Sequence, residues 1–164
     1  MKPTPTLIPT PTLTPTRRQW LAAGSAGAVT VLLQPWAAQA AASPALQAAI
    51  DRFTGGAPVQ TGRVTLAVDA VVENGNTVPV SVSVQSPMTA EQHVRRIAIF
   101  TELNPQPEVA VFQLTPASGR AQVGTRMRMA SSQNVIALAQ MNDGSVWQHR
   151  VAVSVALAAC LEGE

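Results

Sequence analysis

The sequence is poor in the side chains that do most protein chemistry. Its 164 residues hold one cysteine, two histidines and no tyrosine, and only 12% are charged. A single cysteine excludes an internal disulfide framework, so this thiol must be buried, free or paired with another molecule. The two histidines, His93 and His149, stand in no metal-ligand or nucleophile–base spacing, which excludes a zinc motif and a hydrolytic triad and leaves both to surface or structural roles. Aromatic residues make up 4% of the chain, so a core must be built mainly from aliphatic side chains. Long apolar runs are absent too: the longest candidate, near the N-terminus, falls well short of the roughly 20 residues of a membrane-spanning helix.

What is present begins with an export pattern. "MKPTPTLIPTPTLTPT" is a proline–threonine repeat that cannot build a core. The paired Arg17 and Arg18 in "TRRQWL" follow, then the Gly/Ala-diluted segment "AAGSAGAVTVLL" and the small-residue site "AQA" at Ala38 to Ala40. Together they read as a twin-arginine signal over residues 1–40, cleaved after Ala40 or nearby, which predicts a periplasmic protein exported already folded. Without Lys2, Arg17 and Arg18 the eleven basic residues become eight against nine acidic ones, and the formal charge moves from +2 to −1. A mature chain so close to neutral offers no electrostatic case for nucleic acid or an anionic membrane as a partner.

The mature chain has the length of one small domain. "SPALQAAIDRFTGG" predicts a short helix, with Ser43 as cap, Pro44 at the first helical position, Gly55-Gly56 as the stop, and Leu46, Ile50 and Phe53 on one face. Residues 41–57 are therefore read as helix and linker. Beyond them the hydrophobic period changes to two. In "TVPVSVSV" Val78, Val80, Val82 and Val84 share a face; in "RAQVGTRMRM" so do Ala121, Val123, Thr125, Met127 and Met129; in "RVAVSVAL" Val151, Val153, Val155 and Leu157 are expected inside. Segments 63–72, 95–102, 108–115 and 133–141 complete about seven strands. Asn74-Gly75 and Asp143-Gly144 suit tight hairpins with positive φ. The expected fold class is all-β: an immunoglobulin-like antiparallel β-sandwich over residues 58–157, with the short N-terminal helix before it and a flexible C-terminal arm, residues 158–164, after it.

Three features compete as chemistry. Met127, Met129 and Met141 offer soft thioether sulfur, but their apolar register favours core packing over copper binding. Arg120, Arg126 and Arg128 line the outer face of one strand, either as a solvated face or as a docking patch, and the sequence does not choose. Cys160 is placed differently, because "AACLEGE" after the last core position has the composition of an exposed terminus, where a thiol can reach other proteins. Its neighbours Glu162, Glu164 and the terminal carboxylate disfavour the thiolate, which suits a carrier activated by partners better than a self-sufficient nucleophile. Nothing in the sequence points to a metal or a cofactor.

Residues 70–89, "AVVENGNTVPVSVSVQSPMT", and 102–147, "ELNPQPEVAVFQLTPASGRAQVGTRMRMASSQNVIALAQMNDGSVW", resemble SoxY, the sulfur-carrier family of the bacterial thiosulfate-oxidising system. The resemblance implies an immunoglobulin-like sandwich that pairs with SoxZ and is not an enzyme on its own. It implies further that Cys160 holds thiosulfate-derived sulfur while other Sox enzymes load, hydrolyse and oxidise it. The family's arm ends Gly-Gly-Cys-Gly-Gly, whereas here Ala158-Ala159 precede the cysteine and Leu161-Glu162-Gly163-Glu164 follow it. The other reading left open is a binding module that pairs with SoxZ and carries no sulfur.

Overall fold

The computed structural model describes residues 43–159. The export segment expected over 1–40 and the tail from Cys160 onward lie outside the described residues. The first element, α1 (Pro44–Thr54), forms where the end signals put it. The Ser43 hydroxyl accepts the Leu46 N–H at 3.2 Å, Pro44 opens the first turn, and Gly55 closes the helix at φ 63°, its N–H donating to the Asp51 carbonyl. Leu46, Ala49 and Phe53 are buried, while Ile50 is half-buried at the margin.

Nine strands follow: β1 (Val59–Thr61), β2 (Val64–Ala67), β3 (Val71–Asn74), β4 (Val78–Val84), β5 (Val94–Thr101), β6 (Glu108–Gln113), β7 (Gln122–Met127), β8 (Gln133–Met141) and β9 (Val146–Leu157). They form a sandwich. One sheet runs β1-β9-β8-β5-β6 with β3 also on β9, and the other runs β2-β4-β7. The valine alternation of β4 is observed as written, with Val78, Val80, Val82 and Val84 buried. Pro79 is tolerated in this central strand because β2 pairs only with Ser81 to Val84, so no neighbour on that side needs an N–H from residue 79.

Two cores result. Between the sheets lie Val78, Val82, Val94, Ile97, Ile99, Val135 and their neighbours, with Met127, Met129 and Met141 packed among them as gap-fillers. On the outer face of the larger sheet α1 presses Leu46, Ala49 and Phe53 onto Ala98, Phe100, Ile136, Leu138 and Val146. This explains why β5 and β8 are apolar on both faces: one face meets the second sheet and the other meets the helix. Arg96 ties the helix down. Its guanidinium donates to the Phe53 carbonyl at 2.9 Å and to Gln140 Oε1 at 2.7 and 3.0 Å, and it lies 4.9 Å from the centre of the Phe53 ring.

The structure corrects the strand reading in four places. Among the described residues there are nine strands rather than about seven, because segment 63–72 breaks into β2, in one sheet, and the start of β3, in the other, and β1 was not foreseen. The sandwich is antiparallel except at one edge, where β1 and β3 run parallel to successive halves of the 12-residue β9. Asn74-Gly75 is no hairpin: it is the corner where the chain changes sheets, and Gly75 does not have positive φ, whereas Gly144 does, at 86°. Leu157, expected inside, is 67% exposed because β9 overruns the end of the sandwich.

Candidate functional site

Cys160 follows in sequence on Ala159, the last described residue, and Ala159 is held in place. Gly75 sits at the centre of that arrangement. Its N–H donates to the Leu157 carbonyl at 2.8 Å, and its carbonyl accepts the Met129 N–H at 2.8 Å. The Met129 carbonyl then accepts the Ala159 N–H at 3.0 Å. Three segments distant in sequence are thus laced together by main-chain bonds, and Ala159 is 5% exposed. Residues 158 and 159 were expected in a free arm, but Ala159 is docked on the domain.

The loop that carries Met129 is itself braced. The Asn104 side chain donates to the Arg128 carbonyl at 2.8 Å and accepts the Ala130 N–H at 3.0 Å and the Gln133 amide at 2.8 Å. The buried Gln133 returns a bond by accepting the Leu103 N–H at 2.7 Å, and the Ser132 hydroxyl accepts the Val155 N–H at 2.9 Å. Asn104 and Gln133 therefore hold both sides of Met129, so the point where Ala159 attaches is fixed by a connected polar network. The one signal in the sequence for this role of Asn104 is its place beside Pro105, as a turn former with a side chain able to bond the main chain.

Arg120, Arg126 and Arg128 are all exposed, as expected for the outer register, and Arg128 is the immediate neighbour of Met129. Among the described residues the one ion pair is elsewhere, between Arg150 and the largely buried Glu102 at 3.7 Å, with Asn134 donating to the other Glu102 oxygen at 2.6 Å. Arg120, Arg126 and Arg128 thus form no ion pair with a described carboxylate. Among the described residues two acids are shifted, both remote from this end in sequence. Hydrogen bonds from the Ser145 hydroxyl and amide hold Asp143 below the ordinary carboxylate range, with Arg63 adding a smaller pull, and backbone and Thr89 hydrogen bonds do the same for Glu91.

The histidines have structural work. His149 is exposed, but its Nδ1 accepts the Leu66 N–H at 2.9 Å, so the ring closes the free edge of β2 and links the two sheets. It belongs to the same register as Val151 and Val153. The His93 ring lies 3.0 Å from the Thr89 carbonyl, a local loop contact. Among the described residues no three His, Cys, Asp or Glu side chains gather as a metal site would need.

The fold defines a class, a two-sheet β-sandwich domain whose described residues end at Ala159, next in sequence to the chain's one cysteine. That class has a family: the model for "Sulfur oxidation protein SoxY" matches residues 50–160, and the chain belongs to the SoxY family of sulfur carrier proteins. Among solved structures, the sulfur carrier protein SoxY from Chlorobium limicola f thiosulfatophilum is 32% identical with a TM-score of 0.58, covering 67% of this chain and 94% of that one. A superoxide reductase (neelaredoxin) from Ignicoccus hospitalis matches with a TM-score of 0.53 at 17% identity, covering 59% of this chain and 94% of that one. At that identity the likeness is one of fold alone. No curated protein matches the chain.

Proposed function

We propose that this protein is a periplasmic carrier of sulfur intermediates in thiosulfate oxidation, holding them on Cys160 as a heterodimer with SoxZ. The observation that carries the reading is that the family match runs through residue 160 itself, the residue to which the braced Ala159 anchor leads. In the loading step the Cys160 thiolate and the terminal sulfur of thiosulfate form a sulfur–sulfur bond, and two electrons pass to an oxidoreductase partner. Water then attacks the outer, sulfonate sulfur; sulfate leaves, and the persulfide stays on the cysteine for further oxidation by partner enzymes. The domain supplies a covalent handle and a fixed point of attachment, and the other Sox enzymes supply the catalysis.

Supporting features are the paired Arg17 and Arg18 ahead of a short apolar segment, which suit folded export, and a near-neutral mature chain that suits a protein partner rather than nucleic acid or membrane. The test is intact mass spectrometry after incubation with thiosulfate and the oxidising partner. The wild-type chain should gain a thiosulfate-derived adduct and the Cys160→Ala variant none. An unmodified wild-type chain, or a variant modified to the same extent, would overturn the proposal.

A further inference from the structure

The Gly75 corner does more than turn the chain. A Cβ added there would stand 2.5 Å from the Met129 carbonyl oxygen, 3.0 Å from the Ala159 nitrogen and 3.1 Å from Val155 Cγ1. Two of these three are main-chain atoms, which cannot swing aside as a side chain would. Its φ lies outside the left-handed region, so an L residue could adopt this backbone and only the closeness of the neighbouring chains demands glycine. The corner is shaped independently, by Asn74 Oδ1 accepting the Asn76 N–H at 2.9 Å, which leaves the main chain of Gly75 to bond outward.

We propose that Gly75, acting through Met129 and Ala159, is a positioning residue that clamps the C-terminal segment and sets the point from which Cys160 is presented. Alanine at 159 fits this role. Its methyl group is buried, and it loses less chain entropy on docking than glycine would. The departure from the family's paired glycines before the cysteine is then a feature of a docked segment rather than a defect in a free one. Clamped, the chain is held up to the residue before the thiol; unclamped, Ala158 and Ala159 add about 7 Å of reach at ~3.5 Å per residue. A partner that must draw the thiol deep into its own structure has to open the clamp, whereas one that acts near the surface does not.

The purpose of the clamp rests on the carrier reading, but its test does not. The purified protein is alkylated at Cys160 with a small maleimide and with a bulky one, and the ratio of the two rates is taken. Ala159→Pro removes the N–H that Met129 accepts, and Gly75→Ala places a methyl group against the Met129 carbonyl. In both variants the bulky-to-small ratio should rise about fivefold, the factor that one hydrogen bond of ordinary worth contributes to an opening equilibrium. An unchanged ratio in Ala159→Pro, with the melting transition of the wild type retained, overturns the proposal, and this variant decides alone if Gly75→Ala does not fold. Alkylation requires neither thiosulfate nor a partner. A raised ratio in a protein that never acquires sulfur would therefore uphold the clamp while the carrier reading fell.

Discussion

Replacing Arg96 by methionine removes a charged fork and keeps most of an unbranched stem, which isolates what the fork does. The guanidinium holds the Phe53 carbonyl at the end of α1 and, with two donors, Gln140 Oε1 on β8. Hydrogen bonds from charged donors are worth about 1.5–3 kcal/mol each, and the low end applies because Arg96 is half-buried. Gln140 can turn partly to water once released, so its two bonds together count for about 1 kcal/mol. The stacking over Phe53 adds about 0.5 kcal/mol at this exposure. The expected loss is therefore about 3 kcal/mol, a large share of the ~5–15 kcal/mol that stabilises a small domain. Urea titration of the mature chain can follow Trp147 on β9, while circular dichroism reports α1. Arg95→Met is the control, since Arg95 is the exposed neighbour and should shift stability by less than about 0.5 kcal/mol. An Arg96→Met variant as stable as that control would refute the claim that this side chain fastens the helix to the sheet.

Two further outcomes follow from the packing and the charges. Leu138→Ala empties space beneath α1 at a residue 1% exposed and should cost about 2–5 kcal/mol in the same titration, with the helix signal lost no later than the sheet signal. Asp143→Asn tests the hydrogen bonds from Ser145: because the folded pKa is lowered, the stabilisation is present above the unfolded value of about 3.9 and is lost as pH falls through the folded one. The melting temperature of Asp143→Asn should thus lie slightly below wild type near neutral pH, and the two curves should converge in acid; a gap that persists at the lowest pH would show that charge is not its source.

Local rules carried α1 and the central strands well. Ser43, Pro44 and Gly55 act at short range, so their meaning survives in the linear chain, and the alternation of β4 needs only an inside and an outside. Segment 63–72 failed for a physical reason. Its alternation is continuous, yet β2 and β3 lie in different sheets, and a period of two says nothing about which neighbour a strand will find. Arg96 was invisible for a similar reason: a half-buried arginine in an apolar strand signals a partner, but Phe53 and Gln140 are too distant in sequence to name. The partner of His149 was hidden as well, because the unpaired N–H of Leu66 exists only once β2 becomes an edge.

At the site the division is sharper. The sequence alone singled out Cys160, excluded an internal disulfide and a histidine-based active centre, and placed the thiol just beyond the last strand, because composition and alternation are properties of the chain itself. Only the tertiary structure decided that Gly75 is required for space rather than for φ, and that Ala159 is held against Met129 rather than free. Both facts depend on backbones from three separate segments approaching to hydrogen-bond distance, and such closeness is created by folding and leaves no periodic trace in the sequence.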